Sequence, residues 1–234
     1  TNAQVGSSIW HAYTIEDHGV RIYSNILEIT NKTGSYESHG QAYAYVKTGG
    51  TGSHYDNTWY NPTLGANGGL EIVWTLNMRR NDPESTTGGF HCEYTSTQNG
   101  RMVGLAYVLA TNSAADLEGD PSTCNASSTA YGYAVVMGYE GGNGATRLVR
   151  FSNGLRNGNI TDIVSSTGYN EDRYRSVRVT YNADTHQWQL EARDDGSSSF
   201  SDPATGTYGS ATAPSPPTVS MYRFPTPTAA RPIA

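Results

Sequence analysis

The feature that most constrains this chain is a two-residue alternation of apolar and polar side chains, recurring from one end to the other. No stretch sustains the i, i+3, i+4 spacing of an amphipathic helix. Successive strand side chains point to opposite faces, so such a pattern builds half-buried strands. Strands are expected over 9–16, 20–30, 39–47, 70–79, 100–110, 131–139, 146–152, 174–181, 187–193 and 219–224. Between them lie turn clusters at 47–52, 67–69, 140–144, 153–154 and 195–196, where glycine supplies the positive φ that tight turns demand. Ten or so strands make two packed antiparallel sheets.

A length of 234 residues fits one all-β sandwich. The expected organisation is a single domain over 1–224 followed by a Pro-rich tail or linker over 225–234, whose prolines lack the donors a central strand needs. Only 15% of residues are charged, while glycine (26) and tyrosine (17) are abundant, so the core must come from aromatic and β-branched groups. No run approaches the roughly 18 apolar residues of a membrane span, and Thr1 opens on polar sequence without a signal-peptide core. The expectation is a mature, soluble chain, secreted or held at the cell surface, and monomeric.

A formal charge of −6 argues against a nucleic-acid partner, which would need a basic stripe. Lys32 and Lys47 are the two lysines among 15 cations; the rest are arginines, which suit bidentate grips on carboxylate or sulfate. Solvated arginines on strand faces are the plainer reading. Cys92 and Cys124 fit one disulfide in an exported protein, although two buried thiols would read the same way. No metal-ligand or nucleotide-loop spacing occurs, so no cofactor is required. Asp116, Glu118 and Asp120 offer hard oxygens compatible with a structural Ca²⁺, but their spacing does not demand one.

The segment 39–47 sorts most sharply. Gly40, Ala42, Ala44 and Val46 fall on one face and suit a close-packed core. His39, Gln41, Tyr43, Tyr45 and Lys47 fall on the other, a row of hydrogen-bonding and stacking groups that could hold a sugar chain. Along 70–80, Leu70, Ile72, Trp74, Leu76 and Met78 form a core stripe, opposite Glu71, Val73, Thr75, Asn77 and Arg79. If these two strands share a sheet, Asn77 and Arg79 lie beside the polar row. His91 and Arg101 are weaker candidates, His91 being next to Cys92. For any one of these groups the ordinary role is a hydrogen-bonded surface or core residue. Further on, Val177, Val179 and Tyr181 face one way, with Trp188, Leu190 and Ala192 continuing the core. Opposite are Tyr174, Ser176, Arg178 and Thr180, with Gln187, Gln189, Glu191 and Arg193 placed for cross-strand ion pairs to Arg178.

The runs Trp74-Thr-Leu-Asn-Met-Arg, Gly104-Leu-Ala-Tyr-Val-Leu-Ala, Gly132-Tyr-Ala-Val-Val-Met-Gly, Arg147-Leu-Val-Arg-Phe, Ser176-Val-Arg-Val-Thr-Tyr and Trp188-Gln-Leu-Glu-Ala-Arg-Asp-Asp-Gly resemble concanavalin-A-like, laminin-G-type domains of secreted marine Bacteroidota proteins. That resemblance spans about 70–200 and is carried by core-strand patterns, which speak for fold more than function. The whole chain, with 39–47, looks most like the β-jelly-roll ulvan lyases of seaweed-degrading bacteria. The resemblance implies β-elimination at a uronate within a sulfated polymer. Arg79, Asn77 or Gln41 would neutralise the carboxylate; His39, Lys47 or a tyrosine would take the proton; Tyr43 or Tyr45 would protonate the leaving oxygen. His91, Arg101 and Tyr45 would help bind an anionic polysaccharide. A hydrolase fits less well, because Glu71 and Glu93 are the only plausible carboxylate pair. A non-catalytic carbohydrate-binding or adhesion module, and a structural spacer, are the other two readings.

Overall fold

Period-two patterning sets the local conformation of strands such as 71–78 and 187–193. The computed structural model describes residues 2–5, 8–14, 18–23, 26–31, 42–45, 71–79, 91–95, 98–103, 105–112, 117, 129–137, 145–155, 159–168, 173–182 and 187–208. In chain order the strands are β1 (Asn2–Val5), β2 (Ser8–Thr14), β3 (His18–Tyr23), β4 (Ile26–Asn31), β5 (Ala42–Tyr45), β6 (Glu71–Met78), β7 (His91–Thr95), β8 (Gln98–Val103), β9 (Leu105–Thr111), β10 (Tyr131–Met137), β11 (Ala145–Ser152), β12 (Ile160–Gly168), β13 (Tyr174–Asn182) and β14 (Gln187–Gly196). All described pairings are antiparallel, and no helix occurs among the described residues.

The centre of the fold is a four-stranded sheet, β12-β11-β10-β9, against a three-stranded sheet, β14-β13-β6. Their facing sides share one apolar cluster: Leu76 and Met78 of β6, Val135 and Met137 of β10, Leu148 of β11, Val164 of β12, Val177 and Val179 of β13 and Leu190 of β14. Each such side chain contributes about 1.5–3 kcal/mol on leaving water. At one end of this layer Trp188 stacks with Trp74 and tilts against Tyr133 and Tyr181. Burial pushes the phenols of Tyr133 and Tyr181 above their usual range; Arg150 partly offsets this for Tyr133. Nearer the other end the buried Arg175 reaches from β13 to donate to Thr146 Oγ1 of β11 at 3.1 Å.

The four-stranded sheet is buried on its second face too, through Ala134, Val136, Val149, Phe151, Leu117, Ala130 and Leu155. The Leu155 amide donates to the Leu117 carbonyl at 2.6 Å and the Gly154 amide to the Ala130 carbonyl at 2.9 Å, tying the covering segments to the strand ends. A strand buried on both faces reads as a continuous apolar run, and β10 is one. Gly132 opens it because a Cβ there would collide with the Ala110 carbonyl oxygen and the Phe151 ring. The turn at 153–154 takes the left-handed conformation, with φ of 60° at Asn153 and 97° at Gly154.

Several strand expectations change. The run 20–30 is not one strand but the β3–β4 hairpin, with Tyr23 opposite Ile26. The run 100–110 divides into β8 and β9, which belong to different sheets. β1, β7 and β12 were not anticipated; in β12 register shifts interrupt the alternation. The strand expected at 219–224 and the tail at 225–234 lie outside the described residues.

Candidate functional site

The outward side of the β14-β13-β6 sheet carries the polar groups that the alternation leaves over. Pairing places Asn77 beside Ser176 and Ser176 beside Arg193, with Thr75, Arg178 and Glu191 forming the next row. As anticipated, Arg178 pairs with Glu191 across the strands, Nε at 2.6 Å and Nη2 at 2.9 Å from the two carboxylate oxygens. The hydrogen bond and charge of Glu191 raise the Arg178 value against a smaller opposing effect of burial. Rows nearer β14's start stay open: Val73, Thr75, Gln187 and Gln189 are exposed.

At the other end, residues 197–208 leave β14 and return over this face as a strap. Its fastening centres on Ser176, which is fully buried. The Ser176 hydroxyl donates to Asp195 Oδ2 at 2.6 Å and accepts from Arg193 Nη2 at 2.9 Å and Asn77 Nδ2 at 3.0 Å, so its one donor and two lone pairs are all used. Asp195 also accepts from Arg193 Nε at 2.8 Å and from the Ser201 amide at 3.2 Å. Burial alone would raise the Asp195 carboxyl; the Ser176, Arg193 and Ser201 hydrogen bonds and the Arg193 charge outweigh it and hold the group below its ordinary value. Strap carbonyls complete the network: Ser201 accepts from Asn77 at 3.0 Å, Thr205 and Asp202 from Arg193 at 2.8 and 3.2 Å. Tyr208 closes the strap, its ring under the guanidinium groups of Arg178 and Arg193 at 4.6 and 4.9 Å and its hydroxyl donating to the Pro203 carbonyl at 2.6 Å. Burial raises the Tyr208 phenol, against the lowering effect of the two arginines.

Beyond the fastening, at the rim, lies a second arrangement. Arg79 Nη1 donates to the Tyr174 hydroxyl at 3.0 Å, and the guanidinium carbon is 4.5 Å from the ring centroid. Both residues are half-buried. The ladder slips between Tyr174 and Arg175: Tyr174 stands opposite Gly196, Arg175 opposite Asp194, and Asp195 is the extra residue. Bulges of this kind re-aim side chains at sheet rims. Gly196 accommodates it with φ of 96°. Phe200 of the strap meets the Tyr174 ring edge-on, centroids 4.5 Å apart.

Of the residues singled out from sequence, Asn77 and Arg79 stand on this face, but among the described residues the condition that 39–47 and β6 share a sheet is not met. β5 pairs with β2, with Tyr43 opposite Tyr13 and Tyr45 opposite His11, while β6 pairs with β13. The Asn77 side-chain amide donates to both the Ser176 hydroxyl and the Ser201 carbonyl. His91 and Arg101 lie on the β7–β8 hairpin, opposite Val103 and Glu93 respectively. Glu71 lies on β6 and Glu93 on β7, in different sheets. His39, Gln41, Lys47, Cys124, Asp116, Glu118 and Asp120 lie outside the described residues, and with them the Cys92–Cys124 bridge and the calcium loop. Among the described residues no group of three or more His, Cys, Asp or Glu side chains could hold a metal. Tyr174, Phe200 and Asp195 were not singled out, because nothing local announces that β13 lies beside β6 or that 197–208 turns back.

No family model, no curated protein and no solved structure matches this chain.

Proposed function

We propose that this protein is a secreted or surface-held polysaccharide lyase that cleaves a uronate-containing, sulfated polymer such as ulvan by β-elimination, built on a concanavalin-A-like jelly roll stapled by a Cys92–Cys124 disulfide. The observation that carries it is the Arg79–Tyr174 couple, with Nη1 3.0 Å from the phenol oxygen at the rim of a largely polar sheet face. β-Elimination removes the proton beside the carboxylate, forms a carbon–carbon double bond and breaks the bond to the leaving glycosidic oxygen, which takes up a proton. A guanidinium neutralises the carboxylate and makes that C–H more acidic. A phenol is both donor and acceptor, so Tyr174 can carry a proton at the same sugar ring. His39, Tyr43 and Lys47 remain the candidates for the other proton-transfer role, with Gln41, Tyr45, His91 and Arg101 for binding. The proposed protein works as a monomer and needs no cofactor.

One feature favours a second reading, a non-catalytic carbohydrate-binding module. The open rows of the same sheet present Thr75, Gln187 and Gln189 to solvent, hydroxyl and amide groups suited to sugar hydroxyls and unsuited to proton transfer at neutral pH.

Incubating the purified chain with ulvan, alginate and glucuronan, while following absorbance of the unsaturated uronyl product, separates the two. The lyase reading expects product with at least one polymer, and its loss in Arg79→Ala and Tyr174→Phe with little change in melting temperature. Silence on every uronate polymer with retained binding would overturn it in favour of the module.

A further inference from the structure

We infer that Phe200 is the positioning residue of the Arg79–Tyr174 couple, and that the strap over 197–208 exists to hold it there; the catalytic meaning of this rests on the lyase reading, its geometry does not. Three observations converge on it. The strap is held by polar contacts aimed at its backbone: the Asn77 amide, the Arg193 guanidinium and the Asp195 carboxylate bind the Ser201, Asp202 and Thr205 peptide groups. Backbone anchoring fixes the path of the strap whatever its side chains, so the residue beside Ser201 is placed with little freedom. That residue is Phe200, lying edge-on to Tyr174 with an interplanar angle of 88°.

The ladder slip is the second observation. It makes Asp195 the extra residue, which turns into the fastening, and sets Tyr174 across from Gly196, whose missing side chain leaves no lateral neighbour from β14. A tyrosine on a strand end with a cross-strand side chain on one side only would sample several rotamers. Phe200 supplies the missing wall. The third observation is the chemistry of the partner: Arg79 touches Tyr174 through both the hydroxyl and the ring face, so tilting the ring moves the guanidinium as well. A displacement of about 1 Å in such a group can cost on the order of 100-fold in rate.

The test uses the full chain, with Phe200→Ala and Phe200→Tyr as the pair and Phe200→Leu as a milder truncation. Nitrogen-15 NMR of the Arg79 side chain and carbon-13 NMR of the Tyr174 ring report positioning without reference to activity. In Phe200→Ala the Arg79 Nε–H is expected to exchange faster with solvent and the Tyr174 ring signals to average, with Phe200→Leu intermediate and Phe200→Tyr restoring both. On a cleaved uronate polymer, Phe200→Ala should lower kcat by about tenfold or more with KM nearly unchanged. If wild type cleaves no uronate polymer but the NMR changes appear, the lyase reading fails and the positioning stands. Unchanged Arg79 and Tyr174 signals in Phe200→Ala would overturn the positioning itself, as would a loss that Phe200→Tyr does not reverse.

Discussion

Replacing Asp195 by Asn tests whether the strap is clamped as described. Three donors converge on the carboxylate, from Ser176 at 2.6 Å, Arg193 at 2.8 Å and the Ser201 amide at 3.2 Å. Its side chain is 1% exposed, so water cannot replace the lost charge. Removing one partner of a buried, hydrogen-bonded pair costs about 3–5 kcal/mol. Arg193 is 19% exposed and keeps Ser176 and the Thr205 and Asp202 carbonyls as acceptors, which argues for the low end, about 3 kcal/mol. In a domain of this size that lowers the melting temperature by about 6–12 °C. The pH dependence has a definite sign. Because the folded Asp195 lies below its ordinary value of 3.8, its stabilisation is complete above that value and is lost as pH falls through the lower folded one. Thermal melts followed by circular dichroism at pH 7 and at pH 3 should therefore show a large gap between wild type and Asp195→Asn that shrinks in acid. A gap under about 1 °C at pH 7, or one that widens on acidification, would refute the clamp.

The Arg178–Glu191 pair should contribute less: its side chains are 31% and 14% exposed, and Glu191→Gln is expected to cost about 1 kcal/mol in urea titrations, decreasing as salt is added. On β6, Leu76→Ala removes a side chain 6% exposed within the shared core and should cost about 2–5 kcal/mol, whereas Val73→Ala on the same strand, 50% exposed, should stay within about 0.5 kcal/mol; equal costs would mean the strand's faces are misassigned.

What the chain determined locally was which side of each strand turns inward. Leu76 and Met78 against Val73 and Thr75, and Val177 and Val179 against Arg178 and Thr180, follow from period-two geometry, which needs no knowledge of any partner. The turn at 153–154 was legible for the same reason, Gly154 taking a positive φ that is a property of the residue, whereas Gly196, also read as a turn, ends β14 opposite Tyr174. Where no glycine or proline marked a reversal, as between Tyr23 and Ile26, two strands read as one. Partner choice was legible between strands adjacent in sequence, as in the Arg178–Glu191 pairing of β13 with β14, but not between distant ones. Arg79 and Tyr174 are 95 positions apart, and Asn77 and Ser201 are 124 apart. Alternation says which groups face out but not which strand lies alongside, since any two such strands can form the same ladder. That is why the polar row of 39–47 was matched with β6, although β5 pairs with β2 and β6 with β13. Tertiary packing alone decided that Ser176 is buried, that Asn77 donates to the strap and that Tyr174 meets Arg79, because each depends on contacts closed across long stretches of chain.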